Sequence, residues 1–214
     1  MIEIILILLL LMLFTFGIIE FRDHETNLSK IPIRIHVNGS RGKSSVTRLI
    51  AAGLRSGGFK TVAKTTGSSP RVIDENGKDR YLHRLRSASI GEQIRLIRRF
   101  SKLSPDVLVI ECMAVNPQYQ WISEHKIVRS TIGVLTNSRP DHLDEMGMTI
   151  EDITKSMSNT IPYNGQIITS ERKNGEILQD VANKRGSELK FVEDTSIKEK
   201  DLLKFRYIEH SENI

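Results

Sequence analysis

Residues 38–45 read Asn38-Gly39-Ser40-Arg41-Gly42-Lys43-Ser44-Ser45, with two glycines, three serines and one lysine in eight positions. Glycines let a backbone approach phosphate oxygens closely, and successive N–H groups can then cradle them. A lysine in such a loop reaches the terminal phosphates, and the hydroxyl after it can bind Mg²⁺. The whole segment is therefore a candidate for holding a nucleoside triphosphate, with Lys43 on the phosphates and Ser44 on the metal. The spacing departs from the commonest phosphate loop, which has a glycine five positions before Gly42. Val37 stands there, and Gly39 gives the shorter G-x-x-G-K-S form. A glycine-rich turn before a helix is the plain alternative. Context favours phosphate, because a strand pattern precedes the loop and an amphipathic helix pattern follows it.

Two further groups could join it. Asp106 to Ile110 is a continuous apolar run after its first residue, and it leads to Glu111. In a parallel sheet the carboxyl ends of the strands line the ligand crevice, so Glu111 is placed to bind or orient Mg²⁺. An exposed strand-end carboxylate is the bland alternative. After the run Thr131 to Leu135 comes Asn137-Ser138-Arg139-Pro140-Asp141-His142-Leu143-Asp144. His142 could ligate a metal with Asp141 or Asp144 fixing its tautomer, although a lone loop histidine is more often simply solvated. Cys112 has no Cys-x-x-Cys context and reads as a small buried apolar residue with no histidine partner.

The elements that must position these groups alternate. Ile31 to Val37 reads as a strand. Val46, Leu49, Ile50, Gly53 and Leu54 follow at helical spacing, and Gly57-Gly58 ends that helix. Lys60 to Lys64 is a second strand, and Thr65 to Tyr81 is turn-rich. Ile90, Ile94 and Ile97 mark a helix, and Pro117 to Lys126 another with proline in a tolerated first-turn position. Thr149 caps a helix running to Thr160, with Asp152 three residues on. Gln166–Thr169, Ile177–Lys184 and Leu189–Val192 repeat strand, helix, strand. The pattern predicts an α/β fold: a mostly parallel sheet with helices on both faces and a phosphate loop.

The chain has 214 residues with 39% hydrophobic and 27% charged, which excludes wholesale disorder. One cysteine excludes an internal disulfide, a zinc ribbon and a thioredoxin-like pair. A net charge of +5 suits an acidic partner. Composition is uneven, since Ile4 to Ile19 carries no charge between Glu3 and Glu20. Ile2 to Phe21 as a helix would be roughly 30 Å long, about one hydrocarbon core. No Lys or Arg precedes the run and no small-residue cleavage site follows, so it reads as a retained anchor rather than a signal peptide. Arg22, Lys30 and Arg34 follow it, which places the N-terminus outside and the rest in the cytoplasm. The expected division is an anchor over 1–22 and an ATP-binding domain over 23–214. Arg80, Arg84, Arg86, Arg95, Arg98, Arg99 and Lys102 stand against Glu92 alone over residues 80–102. Such a surface attracts a polyanion, with Arg84 and Arg86 as candidate substrate contacts, or anionic lipid, or it is a solvated face. Nucleic acid is not expected, because no aromatic platform is interleaved.

Together these residues resemble the Mur ligase superfamily, which joins a carboxylate to an amine using ATP. The matching stretches are N-G-S-R-G-K-S-S-V-T-R-L at 38–49, A-K-T-T-G-S at 63–68, E-C-M-A-V-N-P at 111–117, N-S-R-P-D-H-L-D at 137–144 and I-P-Y-N-G at 161–165. The third and last resemble the ligase branch of poly-γ-glutamate synthases. The resemblance implies ATP and Mg²⁺ as cofactors and Asn38 to Ser45, Thr66 and Asn137 against ATP. It implies Ser44, Ser68, Glu111 and His142 as metal-binding, and Lys43, Glu111 and His142 as catalytic. It implies glutamate and poly-γ-glutamate as substrates, and other membrane subunits of a synthase complex as partners. Two departures accompany it. Only Lys155 is offered between Thr149 and Thr160 for the carbamylated lysine of many Mur ligases. The further C-terminal domain of Mur-type enzymes is not expected within these residues. An ATP- and Mg²⁺-binding module needing a partner chain, or a membrane-anchored phosphotransferase of another kind, are the alternatives.

Overall fold

The computed structural model describes residues 2–67, 69–83 and 89–192. Its centre is an eight-stranded sheet in the order β4-β3-β2-β5-β1-β6-β7-β8. The strands are β1 (Ile33–Asn38), β2 (Thr61–Thr65), β3 (Arg71–Ile73), β4 (Asp79–Tyr81), β5 (Val107–Glu111), β6 (Ile132–Leu135), β7 (Gln166–Thr169) and β8 (Glu188–Phe191). Six of them run parallel, from β2 through β8. The helices are α1 (Ile2–Ser29), α2 (Lys43–Ser56), α3 (Gly91–Ser101), α4 (Pro117–Ile122), α5 (Leu143–Met146), α6 (Ile150–Met157) and α7 (Gly175–Lys184).

Strand β5 shows why the sheet takes helices on both sides. All five of its residues are buried. Val107 and Val109 join Ile35, Val37, Val46 and Ala51 under α2. Leu108 and Ile110 join Leu96, Ile97 and Phe100 of α3, with Leu28 of α1. Two-face burial is what a continuous apolar run requires, and each such side chain contributes about 1.5–3 kcal/mol. A third cluster under α6 and α7, around Leu135, Ile153, Met157 and Leu178, closes the β6–β8 side.

The observed elements differ from expectation in three places. The turn-rich stretch 65–81 contains β3 and β4, which extend β2 as an antiparallel meander. Its strands are three residues each, too short for periodicity to reveal. The helix expected over 117–126 is α4 followed by a π-helical stretch, Ser123–Val128. Helix α1 runs 28 residues to Ser29, well past Phe21. Its last two turns bury His24, Asn27 and Leu28 against the domain, so residues 22 and 23 lie within one continuous helix. Its apolar part is exposed on all sides, and it is long and apolar enough to cross a membrane.

Candidate active site

Four strand ends meet at one edge of the sheet: β1, β2, β5 and β6, neighbours in the order β2-β5-β1-β6. Because all four are parallel, their carboxyl ends open onto a single crevice. The segment after β1 is the glycine-containing loop, which turns into α2 at Gly42. Gly42 has φ +81°, a left-handed conformation that favours glycine, and no side chain caps the helix. No acidic residue occupies the first turn of α2. Its first N–H groups and its partial positive charge therefore face the loop uncompensated, which is an anion-binding arrangement.

The loop is held from beside by the segment after β6. Ser40 N donates to Asn137 O at 3.0 Å, and Thr136 N to Asn38 O at 2.9 Å. Thr136 Oγ1 donates to Arg41 O at 2.7 Å, Asn137 Nδ2 to the same oxygen at 3.2 Å, and Arg41 N to Asn137 Oδ1 at 3.2 Å. Ser40 Oγ donates to Arg139 O and accepts from Arg139 N, both at 2.8 Å. Gly39, at φ +136°, lies so close to Thr136 that a Cβ would meet its Oγ1 at 2.0 Å. Lys43 Nζ lies within the loop, donating to Gly39 O at 2.6 Å and Ser40 O at 3.3 Å.

Glu111 comes to the same place from β5. Its Oε2 accepts from Ser44 Oγ at 2.8 Å and from Thr66 N at 2.7 Å. The side chains of Ser44 and Glu111, 67 residues apart in sequence, thus converge at the mouth of the loop, with Glu111 only 2% exposed. A carboxylate and a hydroxyl in contact form an all-oxygen donor pair, which fits a hard divalent cation such as Mg²⁺.

The other candidates are placed differently. The Asn38 side chain points away from the loop, its Nδ2 donating to Gln120 Oε1 at 2.9 Å and Thr160 Oγ1 at 3.2 Å. His142 has φ +45°, and its side chain is 53% exposed with Asp141 Oδ1 at 3.8 Å. Among the described residues no three His, Cys, Asp or Glu side chains converge as a metal set. Arg41 is exposed, with Asp141 at 3.7 Å. Ser45 is half-buried in the first turn of α2. Ser68, Arg84 and Arg86 lie outside the described residues. Lys155 lies in the last turn of α6 and is exposed.

Beneath the crevice lies a polar layer that no motif announced. His36 Nδ1 and Glu124 Oε2 are 2.7 Å apart and both fully buried. Glu124 Oε1 also accepts from Ser130 N at 2.8 Å and Ser130 Oγ at 2.9 Å. Burial pushes the His36 pKa down, but Cys112 and the Glu124 carboxylate push it up further, to about 10. Cys112 is buried as expected, yet it does have a histidine beside it. Gln120 is a second hub, with its Nε2 donating to Val115 O at 2.7 Å and Ser156 Oγ at 3.1 Å. Glu171 holds the 136–139 segment by accepting from Ser138 N at 3.0 Å. None of these residues carries a sequence signal, because their partners lie on distant elements.

The Mur ligase middle domain family matches residues 37–213. The capsule biosynthesis protein CapB of Bacillus anthracis is 38% identical over 205 residues, covering 94% of this chain and 44% of that protein. The PGA synthase CapB of Bacillus subtilis (strain 168) is 35% identical over 211 residues, covering 98% of this chain and 54% of that protein. The chain thus spans about half the length of the curated relatives it matches. Among solved structures, E. coli FolC in complex with ADP is 19% identical with a TM-score of 0.56, covering 78% of this chain and 44% of that one. That likeness is one of fold.

Proposed function

The chain belongs to the Mur ligase middle domain family, and we propose that it serves as the ATP-binding part of an ATP-dependent amide ligase in poly-γ-glutamate synthesis. The observation that carries this reading is the convergence of Ser44 Oγ, the Glu111 carboxylate and Thr66 N beside the loop that holds Lys43. Its similarity to two CapB proteins supports glutamate and a γ-linked glutamate chain as substrates.

The chemistry follows from a poor leaving group. A carboxylate cannot be displaced by an amine because oxide would have to leave. Transfer of the γ-phosphoryl group of ATP to a carboxylate oxygen releases ADP and makes an acyl phosphate. The amine nitrogen then attacks the carbonyl carbon, the C–O bond to phosphate breaks, and the nitrogen gives up a proton. The protein's share is positioning and charge neutralisation. Gly39 to Ser45 would wrap the phosphates with backbone N–H groups, and the Lys43 ammonium would meet the terminal oxygens. Ser44 and Glu111 would hold Mg²⁺, which supplies charge neutralisation on the phosphates when bound. Thr66, tied to Glu111, would bring the loop after β2 to the γ-phosphate. Asn137 would act by bracing Arg41 and Ser40.

In this reading α1 anchors the chain in a membrane over residues 1–22, with the N-terminus outside and residues 23–214 in the cytoplasm beside other membrane subunits of a synthase. A second reading is favoured by the chain's span of 44% and 54% of its two relatives. Residues 1–214 then bind ATP and Mg²⁺, and turnover needs groups from outside them. Membranes carrying the synthase subunits separate the readings when glutamate-dependent ADP release is followed. Lys43→Ala is expected to lower release at least a hundredfold, and Glu111→Ala to remove its Mg²⁺ dependence. ATP binding by the purified chain without ADP release, restored by added subunits, supports the second reading. Unchanged polymer output in both variants overturns the two together.

A further inference from the structure

Between the apolar run of α1 and the domain there is no flexible linker. The helix is continuous to Ser29, and its last two turns are fastened to α3 and to the π-helical stretch after α4. Arg98 Nη2 and Nε lie 2.7 and 2.8 Å from Asp23 Oδ2. Ser101 Oγ donates to Asn27 Oδ1 at 2.7 Å, and His24 Nε2 lies 2.9 Å from Ile127 O. Glu25 pairs with Arg129, and Leu28 is buried in the core shared with α3. Asp23 is two residues past Phe21, only about 3 Å further along the helix axis. The Asp23–Arg98 pair therefore sets the last turn of α3 near the level where the apolar surface of α1 ends.

The outer face of α3 at that level is basic. Arg95, Arg99 and Lys102 recur at i, i+4 and i+7, so they stand in one stripe, and all three are exposed. Among the described residues none of the three has an ion-pair or hydrogen-bond partner for its side chain, and exposed Arg22 and Lys30 of the same region have none either. The only acid of α3 is Glu92, which is buried and paired with Lys64. Glu20 is an exposed acid on α1, and Asp74 and Glu75 line a pocket with Arg80 and Arg99 on the β3–β4 side. The stripe of α3 itself carries only cations, whereas a solvated helix face usually mixes both signs. Each member of the stripe lies within about one helical turn, ~5.4 Å, of Arg98 along α3, inside a Debye length of roughly 8 Å.

We propose that the Arg95–Arg99–Lys102 face of α3 docks on the anionic headgroups of the bilayer that α1 enters, so that the domain lies against the membrane surface. The proposal rests on reading α1 as a membrane anchor. Charge complementarity with anionic lipid and continuity with the apolar helix both point to this occupant. A soluble polyanion would satisfy the charge but not the junction with α1.

The test uses the full chain in nanodiscs of phosphatidylcholine alone or mixed three to one with phosphatidylglycerol. A fluorophore on Ser104→Cys, which is exposed beside Lys102 while Cys112 is buried, reports quenching by headgroup-nitroxide lipid. Severalfold stronger quenching is expected in the anionic discs, lost in 0.5 M salt and in both the Arg95→Glu/Arg99→Glu/Lys102→Glu and the corresponding triple Gln variants. Equal quenching in both discs, or quenching unchanged in the triple Gln variant, overturns the docking. So does an emission change caused only by soluble poly-γ-glutamate. Leu11→Cys, probed with an impermeant maleimide, separates the two readings. If it is protected while lipid charge has no effect, only the docking fails. If it is modified, the anchor fails and the docking with it.

Discussion

Gly39 has φ +136° and no room beside it, since a Cβ would lie 2.0 Å from Thr136 Oγ1 and 3.0 Å from Thr136 N. Thr136 cannot retreat without giving up its bond to Arg41 O, one of those that brace the loop. Gly39→Ala is therefore expected to lower unfolding stability by about 1–3 kcal/mol and to weaken binding of a non-hydrolysable ATP analogue with Mg²⁺ by at least about tenfold. Gly53, mid-helix in α2 with open space around it, is the contrast, and Gly53→Ala should stabilise by about 0.5–1 kcal/mol. Calorimetric titration and urea unfolding measure both, and equal behaviour of the two variants would refute the clash. The buried His36–Glu124 pair makes a different prediction. Removing one partner of a buried pair leaves an uncompensated charge, so Glu124→Gln should cost roughly 3–5 kcal/mol near neutral pH. His36 has its pKa raised from 6.5 to about 10 in the folded chain. The folded state thus binds the proton more tightly, and this stabilisation is complete below pH 6.5. It declines as pH rises and is gone above about pH 10. The stability gap between the parent chain and Glu124→Gln should narrow across that window in urea titrations, whereas a constant gap would mean the imidazole is neutral in the folded state.

Among the elements, α6 is the one whose start was readable in the sequence and whose cap the structure completes. Thr149 Oγ1 accepts from Asp152 N at 3.1 Å, and Asp152 Oδ2 accepts from Thr149 N at 3.3 Å. Thr149→Ala should lower stability by about 1 kcal/mol, read as a drop in the unfolding midpoint, with Thr149→Ser close to the parent chain. The same contrast explains what the sequence discloses about the fold. Signals that act within four residues, such as this cap, the Gly57-Gly58 stop and the apolar run of β5, set six parallel strands within a residue or two, together with the end of α2, the starts of α3, α4 and α6, and both ends of α7. Signals that need a distant partner are silent. The meander of β3 and β4 exists because β2 offers Ala63 to Thr65 as a pairing edge. The π-helical stretch Ser123–Val128 carries Glu124, whose carboxylate meets His36 across 88 residues of sequence. In the site, Lys43, Ser44 and Glu111 were legible because strand ends in a parallel sheet share one edge. Thr136, Gln120 and Glu171 were not, since each works through a contact the chain makes only when folded. The Ile161-Pro162-Tyr163-Asn164-Gly165 turn follows the same logic. It precedes β7, at the opposite end of the sheet from the loop, where a Cβ on Gly165 would meet Thr131 O at 2.6 Å.

For the molecule as a whole, the apolar helix is two objects in one rod. Residues 2–21 are exposed throughout, whereas the last two turns supply Asp23, His24, Asn27 and Leu28 to the domain. Leu28 and Ile31 belong to the cluster that includes Leu96, Phe100 and Leu108, so this end of α1 is a wall of the domain's core. Removing residues 2–21 should therefore leave a cooperatively folded domain of nearly unchanged stability and nucleotide affinity. Removing residues 2–29 takes away Leu28 together with the bonds at Asp23, His24 and Asn27. Leu28→Ala alone should cost about 2–5 kcal/mol, and the longer deletion more than that, against a total stability typically on the order of 5–15 kcal/mol. Urea unfolding followed by circular dichroism orders the three variants: the short deletion near the parent chain, Leu28→Ala below it, and the long deletion with a broad transition or none. If the two deletions unfold at the same midpoint, α1 contributes only its apolar surface and the division of the chain lies after Ser29. If the short deletion already destabilises the domain, then residues 2–21 pack on it in solution and their exposure on all sides is not the state of the free protein.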